Sequence, residues 1–195
     1  MASGRATIYV PSADGALRQG ELLSGIVRFR RVIREGASVD EPEFVKVTHP
    51  FAVVVSQDCD LDWDFKARQD QGESHKLLPD VLFCEVVEAG TFRGRSDIKS
   101  DIWRRIKGNK EERYQYIESV PADLDKSGKG VPDLALDFKR YFCVATDDVY
   151  SQLDQGAASR RCCLVSPYAE HLASRFFYFQ SRVALPRDHG QESPL

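Results

Sequence analysis

Residues 51–60 read Phe51-Ala52-Val53-Val54-Val55-Ser56-Gln57-Asp58-Cys59-Asp60. Five apolar residues in a row end in Ser, Gln, two carboxylates and a thiol. A short continuous apolar run of β-branched residues predicts a strand buried on both faces. The polar residues after it predict a rim or structural turn at the strand end, where binding and catalytic groups concentrate. His49-Pro50 enters the strand, because the residue before a proline is held extended.

Working outward, turn-forming clusters cut the chain into short pieces. Val27 and Phe29 alternate with Arg28 and Arg30, so 25–33 predicts a half-buried strand. A loop over 35–42 and a short strand over 44–47 follow. The charged stretch 64–74 predicts a loop or frayed helix. Residues 81–87 predict a second strand buried on both faces. Ile98, Ile102, Trp103 and Ile106 share one face of a short helix over 96–107, with Ser96 as cap and Gly108-Asn109 as stop. Strands are predicted over 113–117, 138–146 and 161–165, a mobile loop over 121–132, and a helix capped by Thr146 running to 153.

The last helix has Ser166 as cap and Pro167 as first residue. Tyr168, Leu172, Phe176, Phe179 and Val183 form its apolar stripe. Pro186 stops it, and 187–195 predicts a disordered tail. These pieces give an α+β fold: a small curved β-sheet or SH3-like barrel with a helical insertion and a C-terminal helix. One domain is expected over 1–186.

The chain has 195 residues, 42% of them hydrophobic and 29% charged, with a net charge of −3. It can bury a core without staples, and nucleic-acid contact would need a local basic patch. Five cysteines without a Cys-x-x-Cys pair predict a reducing, cytoplasmic setting. Cys162 and Cys163 point to opposite faces of their strand and read as packing residues. The first residues lack an apolar h-region, so no signal peptide is expected, and no apolar run approaches the roughly 18 residues of a membrane span.

Three groups of residues carry candidate chemistry. Ser56, Gln57, Asp58 and Asp60 form the polar rim, with Cys59 among them. Two flanking carboxylates disfavour a thiolate, which argues against a nucleophilic Cys59. Its base would come from His49, His75, His171 or His189. Asp58, Asp60, Asp62 and Asp64 alternate and would suit a divalent metal if they lay on a loop, though no EF-hand pattern is present.

The second group is Arg104, Arg105, Lys107, Lys110 and Arg113 beside Tyr114 and Tyr116. Cations next to aromatics pair phosphates and stack bases. The same pattern also describes a solvated helix laced by pairs such as Asp101–Arg105. The third group is the terminal helix, where Phe176 and Phe177 could meet a protein partner and His171 and Arg175 share a face. No P-loop, Gly-x-Gly-x-x-Gly, His-Glu-x-x-His or Gly-x-Ser-x-Gly pattern occurs, so no cofactor is expected.

Gly25-Ile26-Val27, then a loop, then His49-Pro50-Phe51-Ala52-Val53-Val54-Val55-Ser56 resembles the PemK/MazF-like SH3-type barrel of toxin–antitoxin ribonucleases. The resemblance covers residues 20–60, with His49 where that family has Arg before the proline. Segments 106–114 and 167–172 resemble uncharacterised bacterial and phage-associated proteins carrying a Ser-Gln-x-Cys-Asp segment. The resemblance implies a nucleic-acid- or protein-binding module in a toxin–antitoxin or phage-defence setting. Its alternative is a metal-independent endoribonuclease with His49 as acid or base and an Arg of the basic segment on the phosphate.

Overall fold

The computed structural model describes residues 8–33, 43–70 and 73–182. Seven strands form one antiparallel sheet: β1 (Tyr9–Pro11), β2 (Glu21–Val32), β3 (Glu43–Val54), β4 (Asp80–Glu88), β5 (Tyr114–Ile117), β6 (Leu134–Ala145) and β7 (Ser159–Leu164). Their order is β1-β7-β2-β3-β4-β6-β5. Among the described residues five α-helices accompany them: α1 (Asp58–Asp70), α2 (Ala89–Arg93), α3 (Ser100–Lys107), α4 (Thr146–Asp154) and α5 (Tyr168–Gln180). The architecture is therefore α+β. The strand ladder is open, since β1 and β5 stand at its two edges.

The apolar run 51–55 is buried on both faces because alternate residues feed two cores. Val53 and Val55 enter an inner core to which all seven strands contribute, with Tyr9 from β1 and Ile117 from β5 among them. Leu172, Phe176 and Phe179 of α5 plug it. Ala52 and Val54 join an outer core with Leu61 of α1 and Val149 of α4. A third cluster holds Phe92 of α2, Ile106 of α3 and Tyr114 and Tyr116 of β5. The Tyr9 hydroxyl donates to the Glu118 carbonyl at 2.9 Å, so one side-chain bond spans the two edges of the curled sheet.

Several local expectations are corrected. β3 is one strand, not two, and runs through Pro50. The ladder with β2 skips the Gly25–Pro50 pair, and β4 pairs only from Phe51 on, so the missing N–H costs no ladder bond. Gly25 opposite it has φ +80°, and a Cβ there would meet the Ala157 carbonyl at 2.9 Å. Alternation resets at this point. Leu22 and Val53 lie in the inner core, whereas Ile26 joins the outer one and its partner His49 stacks on Phe142 of that same core.

The residues after the strand, predicted as a structural turn and then a loop or frayed helix over 64–74, form one helix, α1, which starts at Asp58 and runs to Asp70. Asp58 and Asp60 sit in its first turn and Arg68 in its last, which suits the helix dipole. Lys66 donates to Asp62 at 2.6 Å and Arg68 to Asp64 at 2.7 Å, both one turn apart.

Caps also differ. α3 starts at Ser100, so Ser96 caps nothing. Thr146 is inside α4 and donates to the Leu78 carbonyl at 2.6 Å. α5 begins at Tyr168 with Pro167 at its N-cap, so neither Ser166 as cap nor Pro167 as first residue holds. The stop at Gly108-Asn109 is present, with Asn109 at φ +50°.

The loop expected to be mobile is anchored: Arg161 makes a bidentate pair with buried Asp125 at 2.8 and 2.7 Å. The predicted loop 35–42, Val183 and the tail 187–195 lie outside the described residues. No helix among the described residues is long and apolar enough to cross a membrane.

Candidate functional site

β2 and β3 outrun their neighbours. They pair from Leu22–Val53 to Val32–Glu43. β7 covers β2 only at Glu21–Ser24, and β4 covers β3 only at Phe51–Val54. Residues 27–32 and 43–48 thus form a two-stranded ribbon standing off the sheet. Its root is fastened by Gln152 of α4, whose amide replaces the missing strand. Val27 N–H donates to Gln152 Oε1 at 2.8 Å, and Gln152 Nε2 donates to the Val27 carbonyl at 2.9 Å.

The register sorts the ribbon into two faces, because directly paired residues lie on one side. One face carries Phe29–Lys46 and Arg31–Phe44; the other carries Arg28–Val47 and Arg30–Val45. Phe29 is 67% exposed and Phe44 61% exposed, and they sit diagonally across the two strands. Four cations (Arg28, Arg30, Arg31, Lys46) stand against one acid, Glu43, in a chain whose net charge is −3. Sequence reasoning took Phe29 as the buried side of a strand. The missed signal was the pairing of Arg-Phe-Arg-Arg with Phe-Val-Lys, which places large apolar groups among cations on both strands.

At the ribbon's foot lies a polar cluster. His49 is 3% exposed and stacks on Phe142 with centroids 3.9 Å apart. Its Nδ1 is 3.4 Å from Glu85 Oε1, a contact without hydrogen-bond geometry. Arg140 pairs with Glu85. The His49 imidazole and the Arg140 guanidinium hold the Glu85 carboxyl down to about 2, against burial, which raises it. Arg28 also lies over the Phe142 ring, its Cζ 4.8 Å from the ring centroid. Arg28, His49, Glu85 and Arg140 thus converge from four neighbouring strands.

The expected rim from His49 to Asp60 is not one wall. His49 and Ser56 lie near opposite ends of an extended segment, separated by roughly 20 Å of chain. Ser56 Oγ accepts from Leu82 N–H at 2.9 Å. Asp58 takes Arg18 in two bonds, 3.1 and 2.9 Å, and Gln19 N–H at 2.7 Å, and so latches α1 to the turn before β2. Gln57 is exposed and Asp60 half-buried, and both flank exposed Cys59. On a helix the four alternating aspartates fan out, and Asp58, Asp62 and Asp64 already pair with Arg18, Lys66 and Arg68. Burial pushes the Cys162 and Cys163 thiols up to about 12, as expected of packing residues.

The basic segment is largely engaged. Arg105 pairs with Glu111 at 3.1 Å. Arg113 pairs with buried Asp137 at 2.8 and 2.5 Å. Lys107 lies 5.7 Å from the Tyr116 ring centroid. Tyr114 is buried edge-on to Phe92 and is closed to a base. Arg104 and Lys110 remain exposed. Two strands, β4 and β6, separate this segment from His49 in the sheet.

Phe176, expected at a docking surface, is core, whereas Phe177 is exposed. His171 is exposed, while its neighbour Arg175 reaches Gln115 and the backbone carbonyls of Glu111 and Tyr114.

A cleft of about 1310 Å³ opens between α1 and α4, lined by Phe65, Arg68, Leu77, Tyr150 and Arg160. Its two arginines are spent internally: Arg68 on Asp64 and Asp147, Arg160 on buried Glu21. No family model, curated protein or solved structure matches the chain.

Proposed function

We propose that the protein is a nucleic-acid-binding module whose contact surface is the β2–β3 ribbon. The observation that carries this is the segregation of charge: four cations and two exposed phenylalanines on one projecting ribbon of a net-acidic chain. A projecting basic ribbon meets phosphates without desolvating a core, and its binding weakens as salt displaces it. The curled sheet supports reading it as an SH3-like barrel open along one edge, since all seven strands share one core. That reading keeps the resemblance to PemK/MazF-like barrels, and a toxin–antitoxin or phage-defence role, as proposals.

The test is anisotropy of labelled oligonucleotides over a salt series. Arg30→Glu/Lys46→Glu is expected to abolish salt-dependent binding, and Arg104→Glu/Lys110→Glu to leave it within about twofold. The opposite pattern would move the contact surface to α3.

A second reading, a metal-independent endoribonuclease, is favoured by the convergence of His49, Glu85, Arg28 and Arg140 at the ribbon's foot. RNA cleavage in chelator, lost in His49→Ala with folding intact, would establish it; intact RNA removes it.

A further inference from the structure

We infer that the ribbon takes a single strand of nucleic acid, with bases stacked on Phe29 and Phe44; this rests on the nucleic-acid-binding reading above. Cations alone do not require aromatic neighbours. The face that bears Lys46 and Arg31 also bears both phenylalanines, so rings and charges alternate across the strands: Phe29 opposite Lys46, Arg31 opposite Phe44. Phe29 is the most exposed large apolar side chain of the described residues at 67%, and Phe44 at 61% is exceeded otherwise only by Tyr178 at 63%. Two bare rings held in water contribute no burial to the core, and the ribbon is already fastened at its root by Gln152.

Diagonal partners on one face lie roughly 7–8 Å apart at Cα. Two rings at that distance can each accept one base of an unpaired strand. A duplex has its bases stacked on each other and offers no free π-face. The backbone of the strand would then run beside Lys46 and, around the ribbon's rim, Arg30. Stacking on Phe is tolerant of base identity, so weak sequence preference is expected.

The competing occupant is a second copy of the chain, with two ribbons packed face to face. Chemistry favours the nucleic acid. Two such faces would oppose cations to cations, and Glu43 is the one acid on the ribbon.

The experiment compares a short labelled single strand of mixed sequence with the same strand annealed to its complement, both at low salt. Sedimentation of the protein alone runs alongside. The single strand is expected to bind at least about tenfold more tightly than the duplex. Phe29→Ala/Phe44→Ala is expected to lose about tenfold or more on the single strand and little on the duplex. Phe44→Trp keeps the affinity, and its added indole emission falls on binding, a readout that a misfolded variant would not give.

Equal binding of both strands, unchanged in Phe29→Ala/Phe44→Ala, overturns the stacking inference and leaves the phosphate-binding reading standing. Binding of neither, by a folded protein, overturns both. A dimer that dissociates in Phe29→Ala/Phe44→Ala, with no nucleic-acid binding, assigns the face to self-association and also overturns both.

Discussion

The two halves of β2 and β3 are the same strands in the same register, yet they have opposite characters. At the root, Leu22, Leu23, Ala52, Val53 and Val54 are sealed between two cores. In the ribbon, beyond Gly25 and Pro50, Phe29, Phe44, Arg30 and Lys46 face water. What differs is the neighbours: the pairing of β2 with β7 ends at Ser24, and the pairing of β3 with β4 ends at Phe51. A strand that outruns its sheet turns from packing into a surface that can bind. The Arg and Lys residues on it also discourage edge-to-edge pairing with other chains.

If this contrast is real, substitutions at the two ends should have opposite effects. The largest effect on stability is expected at the root. Leu23→Ala removes a fully buried side chain from the outer core and should cost about 2–5 kcal/mol in denaturant unfolding. Next is Glu85, at the junction. Its folded pKa of about 2 lies below the ordinary 4.5. Its stabilisation is therefore full above about pH 4.5 and is lost as pH falls toward 2. Glu85→Gln should flatten that acid limb by about 1–2 kcal/mol, after allowance for solvent screening.

Gln152→Ala removes two bonds to Val27 and should cost about 1 kcal/mol. Its sharper signature is faster amide exchange in 27–32 with no change at the root. Phe29→Ala/Phe44→Ala should change stability least, by less than about 0.5 kcal/mol, because exposed side chains contribute little to the core. A loss of several kcal/mol there would mean the phenylalanines are packing residues, and the contrast would fail.

Much of the sheet was legible in the sequence because apolar runs such as 51–55 and 81–87 admit few readings. The strand at 161–165 was legible from its own short run, the stop at Asn109 from the Gly108-Asn109 pair, and Leu172, Phe176 and Phe179 of α5 from their spacing, whereas Tyr168 of the same predicted stripe is exposed. α1 was not: it has only Leu61 and Ala67 as buried apolar residues, so no periodicity announces it. Its signal lay in acid-to-base order and in pairs one turn apart, Asp62–Lys66 and Asp64–Arg68.

The site was harder to read, because exposure depends on where neighbouring strands stop. Nothing in Arg28-Phe29-Arg30-Arg31 says that β7 ends before it reaches them. The basic segment misled for a related reason. Its partners Glu111 and Asp137 are set by folding, so charges that look free in sequence are paired in space.

The most direct test of the ribbon as the contact surface is amide exchange with and without a short single-stranded oligonucleotide. Exchange is expected to slow in 27–32 and 43–48 and to stay unchanged at the root and over 100–113. Slowing over 100–113 with the ribbon unchanged would contradict the account.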